Sequence, residues 1–404
     1  MRRKPAEQPL QVMGDFIRNS NTFLRRLSVQ TWVDCGTLVA RPPGSEQVLR
    51  LAGTARRIWE LLEYPTHLDE IVAGLHAEFS GGKDEIRADA ESCIAFMHRR
   101  GAVETCPAPT TMERQRCRYL HLLKRALVNL IYPEHELRIK HLRGRGAAPN
   151  SPDTERLEKT RLLRDIRYRQ PERYEALLDA KQDCTSGAAG GDPFCFPHTL
   201  VGLSGLDSLE RCAERVFAAG IPGDFLEAGV CQGGAAIFLR ALQIAFGEGH
   251  RRVWAADSFE GLAQAQAEPD LAGGIDFTEP KSPQLAFNLQ GVMDNFRRYE
   301  LLDEGVVFLP GWFAETLSRE PIGPLAILRI DADMYSSTRE VLENLYHLVV
   351  PGGFVIVDDY GFFPFCRQAV DEFRSARNIR EPLGYADRTV VYWRKEENPG
   401  DGYI

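Results

Sequence analysis

The 404-residue sequence predicts an α/β protein with a doubly wound, mostly parallel sheet, preceded by a small α+β domain of winged-helix-like build. Three observations support this prediction. After residue 200, five short apolar runs alternate with helical patterns; several of these runs end in an acidic residue; and a separate group of short strands and amphipathic helices precedes them. Strands that alternate with helices pair in parallel and carry their ligands at their carboxyl ends.

Composition excludes several classes of protein. With 44% apolar and 26% charged residues, the chain has the make-up of a globular protein with a substantial core. A net charge of −8 gives no support to nucleic-acid binding. The sequence has no bilayer-length apolar run, no signal-peptide pattern, and nine scattered cysteines without a metal-binding or disulfide arrangement. We therefore expect a cytoplasmic protein that binds neither nucleic acid nor membrane, with homo-oligomers left open.

Shifts in pattern along the chain suggest four segments. These are an N-terminal segment (1–27), the small domain (28–106), an Arg/Lys-rich helical region (107–199) and an α/β core (200–404). Within the first segment, residues 16–27 are a helical candidate. The charge run of the helical region is typical of a solvated helix face, and its Gly/Pro/Ser-rich end at 184–199 indicates a mobile loop or lid.

The small domain is predicted as three strands followed by three helices. VQTWVD, TLVA and EQVLRLAG have β-like composition, with a turn at 41–45. Thr54 is the predicted N-cap of the first helix, and Thr66 begins the second with the Thr-x-x-Asp spacing of a capping box. The third helix ends at Gly101. Because no catalytic constellation lies in these segments, we expect a binding or architectural role.

A glycine-rich turn follows the first strand of the α/β core. The stretch EAGVCQGG, residues 227–234, lies between strand GDFL and helix AAIFLRALQIAF. Glycine lets a backbone approach a ligand closely, and a helix N-terminus offers unpaired N–H groups. The spacing is not that of a dinucleotide site, and Glu227 suits a cationic or amine-bearing ligand better than a pyrophosphate. Gly229, Gly233 and Gly234 are as compatible with a structural turn as with a ligand site.

The ends of the next two strands add further candidates. Asp257 ends strand VWAAD, where α/β nucleoside sites place a carboxylate on the ribose; with Ser258 following, it is otherwise a helix N-cap. Gly311 and Trp312 follow strand VVFLP. They indicate an adenine wall or, for Trp312, an ordinary core tryptophan.

Four carboxylates follow the last two predicted strands. Asp331 and Asp333 come after LAILRI, and Asp358 and Asp359 end the run FVIVDD. Neighbouring parallel strands would bring these groups to one sheet edge, where they repel one another unless a cation is present. Oxygen ligands without His or Cys favour Mg²⁺, with Ca²⁺ or Mn²⁺ as alternatives. The competing interpretation is that Asp333 caps the following helix and that Asp359 is solvated.

Residues from about 117 to 395 resemble the macrocin O-methyltransferase (TylF/MycF-type) family. The matching stretches are RYLHLLKRALVNLIY, GDFLEAGVCQGGAAIFLRA, ADSFEGL, FRRYELLDEGVVFLPGWFAETL, LRIDADMYSSTREVLENLY, PGGFVIVDDY and VVYWRK. The resemblance implies a Rossmann-like class I methyltransferase that uses S-adenosylmethionine and Mg²⁺ to methylate sugar hydroxyls of natural products. Cys231-Gln232 departs from the Trp-Arg that the family commonly has there.

The same resemblance implies roles for individual residues. Glu227, Asp257 and Trp312 would contact S-adenosylmethionine, and Asp331, Asp358 and Asp359 would bind Mg²⁺. With their neighbours, the candidate cofactor-binding residues are Glu227, Gly229, Gly233, Gly234, Asp257, Ser258, Gly311 and Trp312. Asp331 and Asp333 are the candidate catalytic bases, although a carboxylate acceptor would need no base.

Residues 28–106 resemble the PqqD-like peptide-recognition fold, through LRLAGTARRIWELLEYPTHLDEIVAGLHAEF. The resemblance implies that a leader peptide adds a strand to the third strand and rests on the third helix. The residues implied are Glu46, Val48, Leu49, Leu51, Ile94, Met97 and His98. The alternative is a purely architectural or vestigial domain.

Three hypotheses follow. The first is a peptide O-methyltransferase that acts on a ribosomally made precursor. The second is a small-molecule O-methyltransferase of the sugar-modifying kind, whose N-terminal domain is structural. The third is a non-enzymatic peptide-binding protein that has kept a cofactor fold.

Overall fold

The computed structural model describes residues 22–25, 30–34, 37–42, 47–62, 66–106, 108–131, 172, 198–265, 267–272 and 287–396. The chain divides into two compact units, Met1–Arg118 and Tyr119–Ile404. In the described part of the chain, no helix has both the length and the apolar character required to cross a bilayer.

The N-terminal unit consists of short antiparallel sheets and three helices. Its strands are β1 (Thr22–Arg25), β2 (Gln30–Asp34), β3 (Thr37–Arg41), β4 (Leu49–Leu51), β5 (Thr66–His67) and β6 (Val103–Thr105). Its helices are α1 (Gly53–Leu61), α2 (Leu68–Glu78) and α3 (Lys83–Arg99). One sheet has the order β2-β3-β4 and the other β5-β1-β6. The apolar faces of the helices meet in a core that contains Ile58, Trp59, Ile71 and Ile94.

Both predicted helix caps in this unit are wrong. Helix α1 begins after Ala52 without a side-chain cap, so Thr54 lies inside its first turn. Helix α2 is capped by His67, whose ring accepts from the Asp69 N–H. Thr66 is unavailable because it lies in β5 and its hydroxyl donates to the Leu61 carbonyl at 2.7 Å.

The predicted helix at 16–27 is also wrong where the structure describes it. Residues 22–25 form β1, the central strand of the β5-β1-β6 sheet, and Phe23 is fully buried. Pairing on both sides outweighs the weak helical pattern, since local propensity yields to tertiary contacts.

Helix α4 (Thr111–Leu127) begins the predicted helical region, and the boundary between the two units falls within it. Residues 132–197, apart from residue 172, lie outside the described residues, and so does nearly all of the predicted loop at 184–199.

The second unit contains a seven-stranded sheet of order β12-β13-β11-β10-β7-β8-β9. Its strands are β7 (Asp224–Ala228), β8 (Val253–Asp257), β9 (Val306–Pro310), β10 (Leu325–Ile330), β11 (Val349–Val357), β12 (Gly384–Tyr385) and β13 (Val391–Arg394). Strands β7 to β11, the five predicted runs, pair in parallel, whereas β12 and β13 add an antiparallel edge that the sequence patterns had not indicated.

The helices of this unit cover a sheet with apolar clusters on both faces. They are α5 (Leu203–Ala218), α6 (Gly234–Ala245), α7 (Glu268–Ala272), α8 (Leu289–Arg298), α9 (Phe313–Thr316), α10 (Tyr335–Leu345) and α11 (Pro364–Ala376). From β7 the chain proceeds outward to β8 and β9, then returns to β10 on the other side of β7. Doubly wound sheets bind ligands at the carboxyl ends of strands beside such a reversal.

Candidate active site

The carboxyl ends of β7, β10 and β11 meet at one edge of the sheet. Ile330 lies opposite Ala228 on one side and Val357 on the other. The ladder continues one step past the strands, since the Asp331 N–H donates to the Ala228 carbonyl at 2.8 Å and the Asp358 N–H to the Ile330 carbonyl at 2.9 Å. The backbone at this edge is therefore fixed by main-chain hydrogen bonds.

The glycine-rich turn packs directly against the start of the acidic loop. Gly229 has a φ of +89°, and a Cβ at this position would lie 1.7 Å from the Asp331 carbonyl oxygen. Only glycine satisfies both the left-handed backbone and this close approach. The turn after β7 and the loop after β10 thus form one continuous surface.

Asp257, at the end of β8, holds the glycine-rich turn in place. Its Oδ2 accepts from the N–H groups of Val230 at 2.6 Å and Cys231 at 3.2 Å, and its Oδ1 accepts from the Phe259 N–H at 2.8 Å. It therefore does not cap a helix, the alternative considered from sequence. Burial raises the pKa of this carboxyl, and the three N–H donors act in the opposite direction.

The remaining candidate cofactor residues lie around the same edge. Gly233, with φ +90°, is the N-cap of α6, and Gly234 is its first residue. The Ser258 hydroxyl donates to the Gly261 carbonyl at 2.6 Å. Gly311 follows β9, and the side chain of Trp312, at the start of α9, is 37% exposed. Trp312 is therefore not a core residue and offers an exposed ring.

Glu227 is buried near the end of β7 and pairs with Arg329 of β10. Arg329 Nη1 lies 2.5 Å from Glu227 Oε1, whereas Oε2 of this glutamate is buried without a hydrogen-bond partner. Burial raises the pKa of Glu227 to about 8, although the Arg329 charge opposes that rise. The expected cation-binding carboxylate is thus already paired with a cation through one oxygen and unsatisfied at the other.

Arg329 itself was missed by sequence reasoning. Its side chain is 1% exposed, and Nη2 lies 2.9 Å from Asp331 Oδ2 and 2.7 Å from Asp358 Oδ1. The available signal was an arginine in the apolar run LAILRI, because a charged residue inside a doubly covered parallel strand requires partners.

Asp331, Asp358 and Asp359 come together as the sequence predicted. Each offers a carboxylate oxygen, and these oxygens lie within 4.8 Å of one another. Burial, then the neighbouring Asp331 charge, raises the pKa of Asp358 to about 7. Burial and the Asp333 and Asp331 charges hold the pKa of Asp359 well above its usual range. One arginine does not neutralise this group, and an all-oxygen donor set of this size fits Mg²⁺.

Asp333 lies beside the three carboxylates but does not cap the next helix. Its φ is +54°, and its N–H donates to Asp359 Oδ2 at 3.1 Å. Burial and the charge of Asp331 raise the pKa of Asp333 to about 8. Helix α10 is capped instead by Asp270 of α7, which accepts from the N–H groups of Tyr335 at 2.6 Å and Ser336 at 3.1 Å. The capping interpretation of Asp333 is therefore wrong.

The predicted peptide-binding residues of the N-terminal unit are distributed between an edge and the core. In the described residues, β4 pairs with β3 alone, which leaves it at the edge of its sheet. Val48 and His98 are half-buried, whereas Leu49, Leu51, Ile94 and Met97 are buried and Glu46 lies outside the described residues. These four buried side chains are therefore not accessible to a peptide. Phe96, 40% exposed on α3, is an apolar group that sequence reasoning missed.

Two family matches cover most of the chain. Residues 116–395 match the family described as Macrocin-O-methyltransferase (TylF), and residues 38–103 match that described as Coenzyme PQQ synthesis protein D (PqqD). Both resemblances predicted from the sequence motifs are confirmed.

Curated relatives and a solved structure agree with the first match. The chain is 43% identical over 234 residues, 58% of this chain and 89% of the relative, to 8-demethyl-8-(2,3-dimethoxy-alpha-L-rhamnosyl)-tetracenomycin-C 4'-O-methyltransferase of Streptomyces olivaceus. It is 41% identical over 209 residues, 51% of this chain and 82% of the relative, to mycinamicin III 3''-O-methyltransferase of Micromonospora griseorubida. The structure of the O-methyltransferase NovP matches with a TM-score of 0.53 and 34% identity, covering 70% of this chain and 100% of NovP. The predicted fold class is confirmed.

Proposed function

Given that the chain belongs to the macrocin O-methyltransferase (TylF) family and is an S-adenosylmethionine-dependent O-methyltransferase, we propose that it requires Mg²⁺ and methylates an oxygen of a ribosomally made precursor peptide. As an enzyme, it is not the non-enzymatic binding protein of the third hypothesis. The observation that carries the proposal is the pairing of an acidic strand-end cluster with a PqqD domain in one chain.

Asp331, Asp358 and Asp359 are the residues proposed to hold Mg²⁺. Their oxygens lie within 4.8 Å of one another, and their mutual repulsion is relieved by a divalent cation. Bound there, Mg²⁺ would supply a Lewis acid that orients the acceptor oxygen and lowers the pKa of a hydroxyl. Asp333 lies beside them, with its N–H bonded to Asp359 Oδ2, and its carboxylate is the proposed acceptor of that proton, with Asp331 as the alternative.

The glycine-rich turn and the adjoining strand ends are proposed to bind S-adenosylmethionine. Glu227 Oε2 is a buried acceptor without a partner, which suits an amine-bearing ligand. Asp257 fixes the turn through Val230 and Cys231, and Trp312 offers an exposed ring to a nucleobase. Gly229, Gly233, Gly234, Ser258 and Gly311 complete the proposed set.

The PqqD domain is proposed to bind the leader of the precursor by adding a strand to the edge of β4 that has no strand partner among the described residues. Main-chain hydrogen bonds supply the affinity, so the burial of Leu49 and Leu51 is no obstacle. Binding the leader would raise the concentration of the attached core peptide near the methyltransferase site to about the millimolar range. We retain the proposed boundaries 28–106 for this domain, 107–199 for the helical region and 200–404 for the methyltransferase core, and a cytoplasmic location.

The test is turnover of candidate precursor peptides with and without their leaders, followed by mass spectrometry for a gain of about 14 Da, the mass that a methyl group adds in place of hydrogen. We expect the leader to lower KM. Val48→Pro should abolish that effect, because proline removes an N–H just before β4 without touching the β3–β4 pairs. Val48→Thr, which keeps the N–H, is the matched control. Equal turnover of leaderless peptide would count against the recognition role.

A second candidate substrate class is favoured by the names of the relatives. Those proteins are named as O-methyltransferases of tetracenomycin-type and mycinamicin compounds. If the chain shares that specificity, glycosylated small molecules should gain the methyl group while every precursor peptide fails, and Val48→Pro should have no effect.

A further inference from the structure

Arg329 contacts both the proposed cofactor-binding side of the candidate active site and its acidic cluster. It is the last residue but one of β10, opposite Glu227 of β7 in the register of the sheet, and its side chain is 1% exposed. One terminal nitrogen of the guanidinium, Nη1, meets Glu227 of the cofactor side. The other, Nη2, meets Asp331 and Asp358 of the acidic cluster.

Nη2 contacts one oxygen of each of these two aspartates. The distances are 2.9 Å to Asp331 Oδ2 and 2.7 Å to Asp358 Oδ1. A single nitrogen that contacts both carboxylates at hydrogen-bond distance fixes their separation and their rotation. The second oxygen of each carboxylate is not used in these contacts.

From this arrangement we infer that Arg329 is a positioning residue, which sets the geometry of Asp331 and Asp358 so that the metal site prefers the smaller Mg²⁺ to Ca²⁺. The inference rests on the metal site of the proposed function. Mg²⁺ requires near-octahedral ligands at about 2.0–2.1 Å, whereas Ca²⁺ accepts longer and more variable contacts. A rigid pair of carboxylates therefore favours Mg²⁺, and a loosened pair loses that preference.

This role requires the arginine side chain itself and not only a positive charge at this position. The planar fork of arginine reaches Glu227 through one nitrogen and the two aspartates through the other. Lysine carries a single ammonium on a flexible stem, so it keeps the charge but cannot contact the three carboxylates through two separate nitrogens. Arg329→Lys thus separates geometry from charge.

The experiment is titration calorimetry of the full chain with Mg²⁺ alone and with Ca²⁺ alone. Both ions carry the same charge, so a change in local charge alters both affinities together, and the ratio of the two dissociation constants reports geometry. We expect Arg329→Lys to reduce the preference for Mg²⁺ over Ca²⁺ about fivefold or more. Arg240→Lys is the matched control, since Arg240 is a buried arginine that pairs with Asp303 elsewhere in the unit.

Each other outcome has a definite meaning. If the wild-type chain binds neither ion, the proposed metal site is wrong, and so is this inference. If the wild type binds both ions and the ratio is unchanged in Arg329→Lys, the positioning role alone is overturned. Should Arg329→Lys fail to fold by circular dichroism, the double variant Glu227→Gln/Arg329→Met, which removes both charges of the innermost pair, is titrated against the same criterion. If neither variant folds, the role of Arg329 is to stabilise the fold, and the inference is overturned.

Discussion

The two units differ in whether their charged residues are exposed or buried. Among the described residues, the N-terminal unit has Thr22 as its buried polar residue, and its ion pairs, such as Arg57–Glu78 and Arg87–Asp69, lie at the surface. The second unit buries Glu227 with Arg329, and Lys124 with two acidic partners.

We relate that difference to the kind of ligand that each unit is proposed to bind. Burying a charge is costly unless it is paired, and the buried charges Lys124 and Arg329 are both paired. A unit proposed to bind through a strand edge needs no buried charge, because the backbone supplies its donors and acceptors. A unit proposed to hold a cation and to move a proton requires carboxylates that are shielded from water.

The largest effect should come from Asp358→Asn in the acidic cluster. Loss of one proposed metal ligand should reduce Mg²⁺-dependent turnover by about 100-fold or more, or roughly 2.7 kcal/mol of transition-state stabilisation. Binding of S-adenosylmethionine should persist, because Asp257 and the glycine-rich turn keep their contacts. Steady-state kinetics and cofactor titration measure the two properties separately.

Asp294→Asn is the control for that variant, since Asp294 lies exposed on α8 in a surface pair with Arg297. Turnover that is insensitive both to a chelator and to Asp358→Asn would show that the metal assignment is wrong.

The stability of the second unit should depend on pH in a direction set by its buried acids. Glu227 and Asp333 have pKa values raised to about 8 and Asp358 to about 7, mainly by burial. The folded chain therefore binds more protons than the unfolded chain between about pH 4 and pH 8, and the free energy of unfolding falls as the pH rises through that window.

In chelator, we expect the melting temperature to fall by about 5 °C or more between pH 5.5 and pH 8.5. Added Mg²⁺ should oppose this fall, since the cation binds the deprotonated carboxylates. A metal-free melting temperature that rises over this range would contradict the buried-acid account.

A smaller effect is expected from Asp270→Ala. Asp270 is 4% exposed and accepts from the Tyr335 and Ser336 N–H groups, and its loss should cost about 1–2 kcal/mol of unfolding free energy in urea. Asp270→Asn keeps one acceptor oxygen and should lose less. Equal stability of wild type and Asp270→Ala would rule out this cap.

The smallest effect should come from the exposed pairs of the N-terminal unit. Arg57 and Glu78 are 2.7 Å apart, with side chains 32% and 44% exposed. Arg57→Ala should change the unfolding free energy by less than about 1 kcal/mol, and less still at high salt. A larger, salt-insensitive loss would remove the contrast between the two units.

The sequence predicted the parts of the fold that local pattern determines. Apolar runs identified β7 to β11, and helical spacing identified α1 to α3, because burial selects those patterns directly. Strand β1 and the antiparallel β12 and β13 were missed, since their pairing is decided by distant partners such as β6 and β11. The Thr66 cap failed for a similar reason, because Thr66 is engaged by β5 and the Leu61 carbonyl, whereas the Thr54 cap failed because the helix begins at Gly53, one residue before Thr54.

At the candidate site, the acidic residues were predictable because strand ends mark a functional edge. Their counter-charge was not, because Arg329 finds Glu227 and Asp358 only through the strand order β11-β10-β7. Asp270, a cap supplied from a separate helix 65 residues earlier than Tyr335, has no local signal in the sequence either.

The contacts of Arg329 also determine how much of the chain must be synthesised before the candidate active site can form. Its partner Glu227 is 102 residues earlier and its partner Asp358 is 29 residues later. Contacts this distant in sequence close late, after the chain between them has been ordered. A ribosome must therefore release the chain past residue 358 before the guanidinium has all its partners. A nascent or prematurely terminated chain that ends between residues 234 and 358 contains the glycine-rich turn, yet it cannot assemble the arrangement on which methyl transfer is proposed to depend.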